Sequence, residues 1–304
     1  MNKFLIFLTD QLKIWYHLFT AFLGLFLPSR RKDVSKEIVL ITGAGSGIGR
    51  ALSLKFANLG STVILWDINK SASDAVADEI NSKSPNKAFS YKCDCSKKEE
   101  VYRVAENVKK DVGDVTILVN NAGIVSGNKI LDIPDDKIEL TFQVNSIAHF
   151  WTIKAFLPAM KKNNHGHIVT IASAAGMFGS CGLVDYCASK YAAVGTHSAL
   201  TVELFAEKMD GIHTTCVCPT YIDSGMFDGV KTDPWVMPIM TVDYATDRMM
   251  TAILTNQHLL MMPRMLYLAY YLQSCLPIPV QLLLNKWLGG YHAMDTFIGR
   301  RKQQ

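Results

Sequence analysis

Ser173, Tyr186 and Lys190 are the residues of this chain whose types and spacing can do chemistry at a substrate oxygen. Tyr186 and Lys190 stand four positions apart, so on a helix they share a face and their functional ends meet over one small patch. A phenol with a reference pKa of about 10 is a poor base at neutral pH unless a fixed cation stabilises its phenolate, and Lys190 can be that cation. Ser173 precedes Tyr186 by thirteen residues, at the end of a strand predicted over Ile168-Val-Thr-Ile-Ala172, and can donate a hydrogen bond to the same oxygen. Tyr-x-x-x-Lys also arises by chance in long helices, so its meaning rests on the elements around it.

Those elements alternate strand and helix. Glu37-Ile-Val-Leu-Ile-Thr42 reads as a buried strand and runs directly into Gly43-Ala-Gly-Ser-Gly-Ile-Gly49, followed by a helical pattern through Ala51, Leu52, Leu54, Phe56 and Ala57. Strand, glycine turn and helix in that order make a phosphate loop, because side chains would bar the backbone from a pyrophosphate that helix-terminal amides stabilise. The spacing is Gly-x-x-x-Gly-x-Gly at 43, 47 and 49, unlike the Gly-x-Gly-x-x-Gly of the long-chain dinucleotide fingerprint. A second strand, Thr62 to Trp66, ends at Asp67, eighteen residues past Gly49, where a carboxylate accepts hydrogen bonds from an adenosine ribose and repels a 2′-phosphate. With Ile68 beside it and Ser46 in the loop, no basic residue reverses that preference, so NAD is favoured over NADP. Further strands follow at Lys87 to Lys92, with Asp94 placed to meet the adenine edge, and at Val115 to Val119, running into Asn120-Asn-Ala-Gly123. Helical spacing over 71–80 and 97–112 lies between the strands. The expected fold is therefore α/β, a single doubly wound parallel-sheet Rossmann domain.

The 304 residues carry a formal charge of +4 and no basic and aromatic stripe, which argues against nucleic acid as a partner. Seven cysteines without zinc-ribbon spacing read as reduced residues of a cytosol-facing domain. The segment from Phe4 to Leu27 is apolar but interrupted by Asp10, Lys13 and His17, and its longest stretch free of charged residues runs only from Ile14 to Leu27. Asp10, Lys13, His17, Thr20 and Gly24 follow the spacing of one helix face. Residues 1–33 are thus expected to form a membrane anchor, a helix in the interface or shallowly inserted and ending at Pro28, with Arg30-Arg31-Lys32 on the cytoplasmic side. Residues 34–262 would form the nucleotide-binding domain and 263–304 an apolar C-terminal extension, in which Pro277 and Pro279 break two short helices that can rest on a membrane.

Thr42-Gly43-x-x-x-Gly47-x-Gly49, Asn120-Asn-Ala-Gly123, Ser173 and Tyr186-x-x-x-Lys190, in this order and spacing, resemble the short-chain dehydrogenase/reductase family over about 36–262. Longer strings, among them Leu65-Trp-Asp-Ile-Asn69, Cys93-Asp-Cys-Ser96, Trp151 to Met160 and His292-Ala-Met-Asp295, are similar to its membrane-bound retinol dehydrogenase and 17-beta-hydroxysteroid dehydrogenase branch. The resemblance implies catalytic roles for Asn145, Ser173, Tyr186 and Lys190. It implies NAD contacts from Gly43, Ser46, Gly47, Ile48, Gly49, Asp67, Asp94, Asn121, Ala122, Gly123, Tyr186, Lys190, Pro219, Ile222 and Ser224. Two positions depart from the family: Thr220 replaces the glycine after Pro219, and Ser224 replaces a threonine but keeps its hydroxyl.

By the same resemblance, Tyr186 takes the hydroxyl proton of an alcohol while hydride passes to NAD, Lys190 binds the nicotinamide ribose and lowers the Tyr186 pKa, and Asn145 links Lys190 through water to solvent. The apolar run after Pro219, with Tyr221, Met226, Phe227, Trp235, Met237 and Met240, is expected to cover a cleft for a large lipophilic alcohol. All-trans-retinol oxidised to retinal is the first expectation. A hydroxysteroid or other lipid alcohol is the second, and a non-catalytic lipid-droplet scaffold the third. The resemblance also implies a homodimer on the endoplasmic reticulum membrane or a lipid droplet. The final Arg301-Lys-Gln-Gln304 is similar to a dibasic retrieval tail.

Overall fold

The computed structural model describes residues 3–23, 30–84, 87–235, 237–287 and 289–299. The expected helix end at Pro28 and the Arg301–Gln304 tail lie outside the described residues. The chain divides into two units, Met1–Lys32 and Asp33–Gln304. In the first, helix α1 (Lys3–Leu23) exposes Phe7, Leu12, Trp15, Phe19 and Phe22. Among the described residues no helix is long and apolar enough to cross a membrane.

The second unit is built on seven parallel strands: β1 (Ile38–Thr42), β2 (Thr62–Asp67), β3 (Ala88–Lys92), β4 (Ile117–Asn120), β5 (Gly166–Ile171), β6 (Ile212–Pro219) and β7 (Leu259–Met262). Their order in the sheet is 3-2-1-4-5-6-7. Both faces of such a sheet are covered, which is why β1 and β4 are short unbroken apolar runs rather than alternating ones. Successive side chains nevertheless serve opposite cores. Val39, Ile41, Val63, Leu65, Ile117 and Val119 pack under α2 (Gly47–Asn58), α3 (Lys70–Lys83) and, further along the chain, α8 (Val242–Leu254). Leu40, Ile64, Trp66, Leu118 and Ile168 pack on the other face under α4 (Lys98–Asp111), α6 (Ala148–Asn163) and α7 (Val184–Ala206). Each such fully buried aliphatic side chain stabilises the fold by roughly 1.5–3 kcal/mol, so the double layer is held from both sides.

Helix α5 (Asp135–Phe142) runs into α6 through a single π-helical turn, Gln143–Ile147, that carries Asn145. Beyond β7, α9 (Met265–Gln273) and α10 (Ile278–Trp287) are the two short apolar helices expected around Pro277 and Pro279. Strand order reverses between β1 and β4, and at their carboxyl ends a crevice opens in which such sheets bind their ligands.

Candidate active site

The glycine turn lies at this crevice. Gly43 and Gly47 adopt φ of 66° and 53°, a region that side-chain-bearing residues avoid. A Cβ at Gly49 would lie 2.1 Å from the Gly43 carbonyl oxygen, so only glycine lets the start of α2 close on the turn. Asp67, at the end of β2, ties the loop down: Oδ2 accepts the Gly45 amide at 2.8 Å and Oδ1 the Asn69 amide at 2.8 Å. Across the switch point, Thr42 Oγ1 accepts the amides of Asn121 and Ala122, both at 3.0 Å, and Asn121 Nδ2 donates to the Thr42 carbonyl at 2.8 Å. The Asn121 amide group is therefore committed to joining β1 and β4. Ser224 sits against Gly47, where an added Cβ would lie 3.2 Å from the serine Cβ. Asp94 Oδ1 accepts from the Ser96 amide and hydroxyl at 3.0 and 2.6 Å.

Ser173 stands two residues past the end of β5, its Oγ accepting the Ala175 amide at 3.1 Å. Tyr186 and Lys190 share one buried face of α7. The Lys190 Nζ lies 5.7 Å from the centroid of the Tyr186 ring and donates to the Ile171 carbonyl at 3.0 Å. Burial brings the Lys190 ammonium down to about 8, while burial pushes the Tyr186 phenol above its ordinary value against the opposing effect of a Ser173 hydrogen bond. Burial therefore opposes ionisation of the phenol, and positive charge beside it is what would favour the phenolate. Asn145 is fully buried, its Oδ1 accepting the Ile124 amide at 2.9 Å and its Nδ2 donating to the Ile124 carbonyl at 2.9 Å and Ser189 Oγ at 3.0 Å. It does not bond Lys190 directly. Both groups converge beside Gly123, where a Cβ would lie 3.3 Å from Asn145 Oδ1 and 3.5 Å from Lys190 Nζ.

Two cavities meet at this group. The larger, ≈ 420 Å³, runs from Gly43, Ser46, Gly47, Ile48, Asp67 and Asp94 past Asn121, Ala122 and Gly123 to Lys190, Pro219, Ile222 and Ser224. Among its described lining residues Lys190 is the only cation. The smaller, ≈ 130 Å³, is walled by Phe178, Leu183, Tyr221, Met237, Leu266 and Ala293. Ser173, Tyr186, Thr220 and Phe227 line both. A long cleft with a glycine turn and a strand-end carboxylate at one end and a lysine at the other fits a dinucleotide, and an apolar chamber across the tyrosine suits an apolar alcohol.

The expected lipophilic wall is only partly as read from the sequence. Tyr221, Phe227 and Met237 face the apolar cavity and Met226 the larger cleft, but Met240 is buried in the core beneath α8 and Trp235 is 96% exposed away from either cavity. Sequence reasoning missed Gly289, Gly290 and Ala293 as walls of the chamber. The adjoining His292-Ala-Met-Asp295 string was their only signal. Thr220 was noted as a departure but not as a lining residue; its buried hydroxyl makes no hydrogen bond within the described residues.

Two histidines lie nearby. Burial, with Lys190 and His197 adding positive charge, brings His149 down to about 3; burial, with His258, brings His197 to about 3. Both are neutral in the folded protein well below 6.5, where the unfolded chain takes up protons. Stability is therefore whole above pH 6.5 and is lost as pH falls toward 3, by about 1.4 kcal/mol per pH unit for each group. Thermal melts between pH 7 and 4 should show this slope, and His149→Gln should flatten it; a His149→Gln slope equal to wild type would disprove the assignment.

A parallel sheet whose strand order reverses beside a glycine turn, with serine, tyrosine and lysine gathered at that switch point, defines a nucleotide-dependent oxidoreductase of the α/β class. The chain belongs to the short chain dehydrogenase family, whose sequence profile matches residues 37–235. It is 50% identical to epidermal retinol dehydrogenase 2 of Homo sapiens over 99% of this chain and 97% of that protein. It is 42% identical to retinol dehydrogenase 10 of Homo sapiens, over 95% and 93%. The crystal structure of a short chain dehydrogenase/reductase from Burkholderia phymatum in complex with NAD shares the fold at a TM-score of 0.73 and 21% identity, covering 83% of this chain and 96% of that one.

Proposed function

We propose that this protein is an NAD-dependent dehydrogenase that oxidises all-trans-retinol to all-trans-retinal. The observation that carries the reading is the pair of cavities meeting at Ser173 and Tyr186, one suited to a dinucleotide and the other almost wholly apolar. The names of the two relatives supply the retinoid, and Asp67 at the end of β2 supports NAD. NAD, when bound, supplies the hydride acceptor and a positive ring.

Gly43, Ser46, Gly47, Ile48 and Gly49 hold the pyrophosphate, Asp67 the adenosine ribose and Asp94 the adenine edge. Asn121, Ala122, Gly123, Pro219, Ile222 and Ser224 line the path to the nicotinamide. Ser173 holds the alcohol oxygen by a hydrogen bond, and Tyr186 takes its proton. Lys190 orients the nicotinamide ribose and stabilises the phenolate. Asn145, beside Gly123 where it and Lys190 converge, would link Lys190 through water to solvent, and the proton leaves along that water.

The substrate is lipid-soluble, and exposed apolar helices support a place on a membrane. Leu268 and Trp287, on α9 and α10, are 65% and 78% exposed, and α1 exposes an apolar run of its own. In this reading the second unit faces the cytosol on the endoplasmic reticulum or a lipid droplet, as a homodimer, with α9 and α10 beside the chamber mouth.

The test is aldehyde formation by membranes carrying the protein, given all-trans-retinol with NAD or NADP. Retinal formed faster with NAD is expected. Oxidation of steroid alcohols with no retinal would replace the substrate assignment, and turnover of no alcohol would leave the scaffold role.

A further inference from the structure

The segment 289–299, after α10, doubles back over the loop that follows β6. The Lys231 amide donates to the Ala293 carbonyl at 3.2 Å, Thr296 Oγ1 to the Gly229 carbonyl at 2.5 Å, and the Ile298 amide to the Asp228 carbonyl at 2.8 Å. The two stretches are thus laced in opposite directions. Ala293 and Met294 are buried in one cluster with Leu183, Tyr186, Tyr221 and Val230. Phe297 is seated on Gly127, where an added Cβ would lie 2.0 Å from its ring. From Phe297 a file of edge-on rings leads to the reacting group: Phe297 to Phe227 at 6.4 Å, Phe227 to Tyr221 at 5.2 Å and Phe227 to Tyr186 at 5.7 Å between centroids. Such pairs prefer this tilted arrangement, in which one ring's edge meets another's face.

We infer that Phe297 is a positioning residue: anchored on Gly127, it holds Phe227 against Tyr186, and Phe227 is the partition that sets which apolar alcohol reaches the phenol. The inference rests on the reading of the apolar chamber as the substrate site. Phe227 lines both cavities and is otherwise carried on an irregular loop, so its place depends on what packs behind it. Phe297 and the three hydrogen bonds to residues 228–231 are that backing. A flat, elongated alcohol needs the ring held in place, because displacement of a reacting group's neighbour by about 1 Å is enough to misalign transfer. The glycine turn and Asp67, at the other end of the larger cleft, lie outside the cluster that holds Phe227 and Phe297.

The experiment is hydrogen exchange and steady-state kinetics on full-length Phe297→Ala and Phe297→Leu beside wild type. Phe297→Ala should speed exchange of amides in residues 226–232 while leaving β1 and α2 unchanged. It should raise the KM for all-trans-retinol at least about tenfold with the KM for NAD within about twofold, and Phe297→Leu should recover most of both effects. Unchanged exchange at 226–232 overturns the anchor, and equal losses toward retinol and NAD overturn the partition. A wild-type protein that oxidises no apolar alcohol would sink the functional reading instead, and the exchange comparison would still decide the anchor.

Discussion

Replacing Tyr186 by Phe is expected to lower the turnover of retinol by about a thousandfold, the scale on which a positioned general base contributes. The substitution removes one oxygen from a ring that is buried on α7 and packed edge-on against Phe227. The ring contacts survive it, and the loss of a single hydroxyl should change stability by only about 1 kcal/mol. Binding of NADH, followed by its fluorescence, should stay near wild type, and so should the melting temperature. A variant retaining a tenth of wild-type turnover would remove Tyr186 from the chemistry. The pH profile carries a second check. Burial holds the phenol above its ordinary value, so the proton must be drawn off by Lys190 together with the positive ring of the oxidised cofactor. Alcohol oxidation needs the phenolate and should rise with pH, whereas aldehyde reduction needs the phenol and should fall.

The residues that gather at the crevice through a constraint of their own type were legible before the fold was known. Gly43, Gly47, Gly49, Asp67, Ser173, Tyr186 and Lys190 each carry a constraint that the sequence displays: a turn without side chains, a carboxylate at a strand end, two ends on one helix face. The alternation of strands and helices led to the doubly wound sheet for the same reason, since every element is amphipathic or buried on a fixed period. What stayed hidden depends on distance along the chain. Met240 and Phe227 look alike as apolar residues in one irregular run, yet one is core and the other faces two cavities, because loop conformation has no period to read. Gly289, Gly290 and Ala293 lie more than a hundred residues from Tyr186, and apart from the likeness of the string His292-Ala-Met-Asp295 nothing local marks them as walls of its chamber. The burial that opposes ionisation of Tyr186 was hidden too, because it comes from residues far along the chain that pack around α7.

Asp67→Asn should cut kcat/KM with NAD by about ten- to a hundredfold and bring NADP much closer to NAD, because hydrogen bonds to a charged group contribute about 1.5–3 kcal/mol. The carboxylate works in two directions. Its two oxygens accept the Gly45 and Asn69 amides, holding the glycine turn at the height of β2. An ionised carboxylate has about four acceptor sites, so those two bonds leave lone pairs for the hydroxyls of an adenosine ribose. An asparagine of the same size can keep one of the two amide bonds but not both, since its nitrogen is a donor; the turn then loosens as the ribose loses its charged acceptor. The repulsion toward a 2′-phosphate disappears in the same step. No new attraction replaces it, since Lys190, at the other end, is the only cation among the described residues lining the cleft. The variant should therefore be a poorer enzyme with a flatter preference rather than one converted to NADP. Initial rates with both cofactors at fixed retinol decide the matter: an Asp67→Asn protein that keeps its NAD efficiency within about twofold would place the ribose elsewhere in the cleft.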